Sequence, residues 1–75
     1  MSKEKYLEKV ARIREENKRL KAEAQELTVF VVNNLTNFEI ENEVAEAQAL
    51  IRRKHNKVMT NTKTLYKLKT AYAGA

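Results

Sequence analysis

The side chains with catalytic potential are few in this sequence, which has ten glutamates, a single histidine, His55, and no aspartate or cysteine. With no aspartate, no cysteine and only one histidine, we expect no hydrolase triad within one chain. The sequence also lacks a glycine-rich phosphate loop and a histidine cluster for a metal. We therefore predict no catalytic, cofactor-binding or metal-ligating residue, no cofactor, and a protein that is not an enzyme.

Positive charge is the one feature that indicates a ligand. Residues 1–46 hold eight Lys or Arg against ten Glu, whereas residues 47–75 hold seven Lys or Arg and no acid. Basic side chains displace counterions from a phosphate backbone, and interleaved tyrosines can stack on bases. Nucleic acid or another acidic partner is thus one predicted ligand. The candidate contacts are Arg52, Arg53, Lys57, Lys63, Lys67 and Lys69.

The same charges have a structural explanation, which stays open at this point. Acids near the start of a helix and bases near its end complement the helix dipole. An antiparallel fold would also bring Glu16 close to Lys57, so the basic half would be partly neutralised by the first half of the chain.

Two long helices are the elements expected to position these residues. The chain has no proline and one glycine, Gly74, so it offers few ways to turn sharply. Two series of mostly apolar residues follow one another at spacings that alternate between four and three, which is the coiled-coil period. The two series are Tyr6, Val10, Ile13, Asn17, Leu20, Ala24, Leu27 and Val31, and then Ile40, Val44, Ala47, Ile51, Lys54, Val58, Asn61, Leu65, Leu68 and Tyr72.

Stop and start signals lie between the two series. Asn33 and Asn34 can take the left-handed conformation that ends a helix, and Thr36 followed by Glu39 matches a capping box. We expect one domain, an all-α antiparallel two-helix hairpin of coiled-coil type. Its predicted bounds are a domain over 1–75, with a helix at about 3–33, a turn at about 33–37 and a helix at about 37–72.

A turn centred between residues 35 and 36 would set the pairing of the two helices. Asn17 would then face Lys54, and Ala24 would face Ala47. A polar layer of this kind lowers stability but penalises shifted registers and wrong partners.

Two alternatives compete with continuous helices. The segment TVFVVNNLTNFEI alternates and is rich in β-branched residues, so residues 28–40 could form a short β-hairpin joining the two helices. The segment TNTKT, residues 60–64, contains weak helix formers and could interrupt the second helix as in a helix-turn-helix.

The size of the chain predicts assembly. A chain of 75 residues builds a small core, which is usually supplemented by oligomerisation. Leu7, Phe30, Leu50 and Tyr66 lie off the seam between the helices and are the predicted self-association surface. We expect a homodimer forming a helical bundle.

The resulting functional prediction is a non-enzymatic binding protein. It would be a self-associating hairpin that acts as a protein-interaction, assembly or regulatory module, with a nucleic-acid-binding module as the alternative. The N-terminal segment MSKEKYLEKV has no long apolar run after it, so we expect no secretory signal, no membrane span and a cytoplasmic location. We also expect no membrane binding, because the apolar residues are used in the seam and the sequence has no tryptophan.

Overall fold

The computed structural model describes residues 2–74 and has two long helices packed against each other. Helix α1 spans Lys3–Asn33, a 3₁₀ turn spans Phe38–Ile40, and helix α2 spans Glu41–Gly74. The hairpin measures 56 × 15 × 13 Å. The predicted all-α antiparallel hairpin is confirmed. No strand forms within residues 2–74, so the alternative of a β-hairpin at residues 28–40 is wrong.

Helix α1 is capped at both ends by side chains that lie next to it. The Ser2 hydroxyl accepts a hydrogen bond from the Lys5 backbone amide at 3.3 Å. At the other end, the Asn34 side-chain amide donates to the Phe30 carbonyl at 2.8 Å. Asn34 has φ −123°, so the predicted left-handed residue is not formed. The reason is that the Asn34 side chain itself satisfies a terminal carbonyl of the helix.

The turn is longer than the sequence suggested. The Asn37 amide donates to the Asn34 carbonyl at 3.1 Å, and the Ile40 amide donates to the Asn37 carbonyl at 3.3 Å. These bonds form a turn and then a 3₁₀ turn, after which α2 begins at Glu41. The predicted capping box at Thr36 is wrong, because Asn37 precedes the 3₁₀ turn and no side chain caps it.

The longer turn moves the pairing of the helices by one heptad. Asn17 contacts Asn61, and not Lys54 as predicted. Lys54 instead contacts Glu23. A shift of seven residues keeps every heptad position opposite the same type of position, so the apolar pattern alone does not exclude it. The additional residues in the turn determine which of the two registers forms.

The core between the helices is thin. Its buried apolar residues are Leu20, Ala24, Val31 and Ala47, and Asn61 is a buried polar residue. The chain has an accessible surface of 6215 Å², whereas a compact monomer of this mass would expose about 4,700 Å². The radius of gyration is 16.9 Å, against about 11 Å for a compact domain of this length. An isolated hairpin therefore leaves unusually much of its surface in water.

The segment TNTKT does not interrupt α2, which continues through residues 60–64. The hydroxyls of Thr60, Thr62 and Thr64 donate to the carbonyls four residues earlier, at 2.9 to 3.0 Å. These bonds hold the threonine side chains on the helix, although they contribute little to its stability. The helix-turn-helix alternative is therefore wrong.

Neither helix, over the residues described, has an apolar stretch long enough to cross a membrane.

Candidate functional site

A buried polar layer connects the two helices. The Asn61 side-chain amide donates to Asn17 Oδ1 at 2.8 Å and to Glu16 Oε1 at 3.1 Å. Glu16 also lies 3.9 Å from Lys57 Nζ, so the predicted proximity of Glu16 and Lys57 is confirmed. Because both amide hydrogens of a buried asparagine find acceptors, this layer avoids most of the cost of burying a polar group.

Lys54 occupies a seam position, but its ammonium group lies at the side of the seam, next to Glu23. Its ammonium lies 3.2 Å from Glu23 Oε1, with the side chains of Lys54 and Glu23 22% and 44% exposed. The small Ala24 lies at the facing position, so this layer is incompletely filled. On the side away from Glu23 the helices enclose a groove of about 310 Å³. It is lined by Leu20, Lys21, Ala24, Gln25, Thr28, Lys54, His55, Val58 and Met59.

The groove has an apolar floor and a basic rim. Its lining includes Lys21 and His55 but no carboxylate, and Lys54 lines it as well, although the Lys54 ammonium is paired with Glu23 on the other side. The Thr28 hydroxyl donates to the Ala24 carbonyl at 2.8 Å, which leaves it poorly placed as a nucleophile. Within the described part of the chain no group of three or more His, Cys, Asp or Glu side chains could hold a metal ion. The groove can therefore attract an anion.

The groove marks one long face of the hairpin, which we call the basic face. Helix residues three, four or seven positions apart share a face, so the exposed bases near the groove can be grouped by their spacing from Lys21 and His55. The basic face contains Arg14, Lys18, Lys21, Arg52 and Lys69, with Met59 and Tyr66 between them. All five bases are exposed.

The opposite long face carries both ion pairs, and we call it the polarised face. Near the turn it is acidic, and near the open end of the hairpin it is basic. The acidic half holds Glu23, Glu26, Glu43 and Glu46, with Arg53 as its base. The basic half holds Lys5, Lys9, Arg12, Arg19, Lys57 and Lys67, with Glu16 as its acid.

The predicted nucleic-acid contacts do not form one patch, because they are distributed around α2. Arg52 and Lys69 lie on the basic face, and Lys63 lies on the outer side of the helix, away from α1. The other three lie on the polarised face. They are Arg53, Lys57 and Lys67.

The predicted self-association residues are also divided between the two faces. Phe30 and Leu50 lie at similar heights on the polarised face and are 36% and 41% exposed. Leu7 and Tyr66 lie on the basic face, where they are 52% and 73% exposed. Each pair contributes apolar area to a different surface.

Sequence reasoning missed the contribution of α1 to the basic face. Arg14, Lys18 and Lys21 lie in a half of the chain whose total charge is slightly negative, so a count along the sequence conceals them. Their common signal is spacing, since Lys18 and Lys21 follow Arg14 by four and seven residues. A helical wheel aligned on the seam would have separated them from the acids.

Comparison with known protein families, with curated proteins and with solved structures finds no match to this chain.

Proposed function

We propose that the protein is a non-enzymatic assembly module, a helical hairpin that pairs with a second copy of itself through the polarised face. The two hairpins would lie antiparallel, related by a two-fold axis, so that four helices lie side by side. The division of charge along the polarised face carries this proposal. We propose a cytoplasmic location for the assembly and a regulatory or scaffolding role.

The exposed surface of the hairpin supports a partner of this size. Its surface of 6215 Å² exceeds that of a compact monomer by about 1,500 Å². One long face of a 56 × 15 Å hairpin covers roughly 800 Å², the area that each subunit buries in a typical stable interface. A second copy packed on this face would therefore bury about half of the surface that the hairpin exposes beyond that of a compact monomer.

Charge determines the orientation of the two copies. In an antiparallel pair the acidic half of one polarised face lies over the basic half of the other. Glu43 and Glu46 would then lie at the same height along the bundle as Lys9 and Arg12 of the second copy. A parallel pair would place like charges together, which costs free energy and slows association.

Partly exposed apolar residues on this face support its burial by a second copy. Phe30 and Leu50 remain partly exposed in the single hairpin, which makes them candidates for burial by a partner. Long basic side chains also cover apolar area with their aliphatic stems while their charges stay in water.

A charge-exchange experiment tests the proposal. Glu43→Lys with Glu46→Lys reverses the acidic half, and Lys9→Glu with Arg12→Glu reverses the corresponding part of the basic half. We expect each double variant to have a dimer dissociation constant at least tenfold above that of the wild type in sedimentation equilibrium at low salt. An equimolar mixture of the two variants should form a heterodimer as stable as the wild-type dimer, because each reversed half meets a complementary one.

A matched control separates the face from total charge. Glu8→Lys with Glu15→Lys makes the same charge change as the first variant on the outer side of α1, and it should leave the dimer intact. A wild-type chain that is a folded monomer at 100 μM would overturn the proposal. Failure of the mixture to recover association would overturn the antiparallel arrangement.

A further inference from the structure

We propose that the basic face binds the phosphate backbone of nucleic acid, using bases from both helices. Its five cations, Arg14, Lys18, Lys21, Arg52 and Lys69, come from segments far apart in the sequence and are exposed on one side of the hairpin. This inference is independent of self-association, since a single hairpin carries the complete face.

The absence of acids on this face is the first observation that supports the proposal. Between Glu4 near the open end and Glu41 at the turn, the helix positions of the basic face carry no carboxylate. The two ion pairs found among the described residues, Lys54 with Glu23 and Lys57 with Glu16, involve none of its five cations. Charges without a partner in the protein are free to replace counterions on a phosphate backbone.

The length of the face is the second observation. In the observed register, Lys69 lies at the height of Lys9 and Arg52 at the height of Glu26, which are 17 residues apart on α1. At 1.5 Å per helical residue, the cations extend over about 25 Å. That distance matches about seven phosphates along one strand of a duplex, at 3.4 Å each.

The neighbouring uncharged residues also suit this ligand. Met59 and Tyr66 lie among the cations and are 60% and 73% exposed. An exposed aromatic ring beside a phosphate-binding stripe can stack on an unpaired base or pack against a sugar. The polarised face lies on the opposite side, so dimerisation would leave the basic face open.

Neighbouring residues on α2 provide a matched test of this face. Arg52 and Lys69 lie on it, whereas Arg53 and Lys67 have the same side chains on the other side of the helix. The probe is a fluorescein-labelled 30-base-pair DNA duplex, titrated with the full chain between 20 and 200 mM NaCl by fluorescence anisotropy. Circular dichroism and sedimentation of each variant verify its fold and its oligomeric state.

Five phosphate contacts predict a slope of log K against log salt of about −4.5 for the wild-type chain. Arg52→Gln with Lys69→Gln should reduce the magnitude of the slope to about 2.7 and weaken binding at least tenfold at 50 mM NaCl. Arg53→Gln with Lys67→Gln has the same net charge and should retain the wild-type slope, compared at a chain concentration where sedimentation gives both variants the same oligomeric state, because these residues lie on the polarised face.

A second set of variants tests the contribution of α1. The triple variant Arg14→Gln, Lys18→Gln and Lys21→Gln should reduce the magnitude of the slope to about 1.8, although it leaves α2 unchanged. Equal losses in the two α2 variants would overturn the proposal, as would wild-type affinity in the triple variant. Failure of the wild-type chain to bind the duplex at 20 mM NaCl would also overturn it. Tighter binding to phosphatidylserine vesicles than to the duplex would assign the face to a lipid surface instead.

Discussion

Asn61 donates a side-chain hydrogen bond to Asn17 across the hairpin, with an Nδ2 to Oδ1 distance of 2.8 Å. This pair is the chemical feature of the seam that distinguishes one heptad register from the next. With α2 shifted by seven residues, Asn17 would face Lys54 and Asn61 would face Val10. The Asn61 amide would then lose its partner, at a cost of about 1–3 kcal/mol. The paired amides therefore favour the same register that the longer turn sets.

A double-mutant cycle tests this contact. Asn17→Ala and Asn61→Ala should each destabilise the hairpin by about 1 kcal/mol, because each removes the hydrogen bond between the buried Asn61 and the partly buried Asn17. Their interaction energy should be at least about 0.5 kcal/mol. The measurement is urea unfolding at one fixed chain concentration. Asn17 and Lys54 lie about 10 Å apart along the axis, so Asn17→Ala and Lys54→Ala should be additive within about 0.5 kcal/mol. An interaction energy between Asn17 and Lys54 would instead indicate the register predicted from the sequence, in which these two residues face each other.

The aromatic pair at the open end gives an independent test of the register. Tyr6 and Tyr72 stack with ring centroids 4.4 Å apart and planes 8° from parallel. We expect the two alanine variants to show an interaction energy of about 0.5–1.5 kcal/mol.

Tyr66 provides the control for that pair, because it is a tyrosine on the same helix and is 73% exposed. Tyr66→Ala should change the free energy of unfolding by less than about 0.5 kcal/mol. If Tyr66→Ala destabilises the hairpin as much as Tyr72→Ala, then the stacking of Tyr72 on Tyr6 does not stabilise the open end.

The structure of the turn predicts different losses of stability for alanine substitutions at two neighbouring polar residues. Asn34→Ala removes the bond from Asn34 Nδ2 to the Phe30 carbonyl and should cost about 1 kcal/mol. Thr36 is exposed and forms no side-chain hydrogen bond within the described chain, so Thr36→Ala should cost less than about 0.5 kcal/mol. Thermal and urea unfolding of both variants compares these costs. The reverse order would indicate that Thr36 caps α2 after all.

The sequence predicted the two helices and their seam because heptad spacing repeats many times and each repeat adds to the same signal. The register was not predictable in the same way, since a shift of seven residues gives the same pattern of seam positions. The register depends on the length of the turn, and the local signals at Thr36 did not anticipate the 3₁₀ turn at Phe38–Ile40. Placing the two seam asparagines, Asn17 and Asn61, opposite each other would have predicted the observed register.

The candidate surfaces were less predictable than the fold. Counting charges along the sequence identified α2 as basic but grouped Arg52 with Arg53, which lie on opposite faces of the hairpin. It also concealed Arg14, Lys18 and Lys21, whose charges are balanced by glutamates on another face of α1. A surface built by two helices becomes visible only when the register relates the positions of one to those of the other.

The antiparallel pairing of two hairpins is the central claim, and a distance across the dimer tests it most directly. The chain contains no cysteine, so Asn37→Cys places a single spin label at the turn of each copy. In the proposed dimer the turn of one copy lies beside the open end of the other, and pulsed electron paramagnetic resonance should give a label separation of about 45 Å, from roughly 30 residues of helical rise. A separation below about 20 Å would require parallel hairpins, and the absence of any intermolecular distance would mean that the chains do not pair; either result would contradict the account.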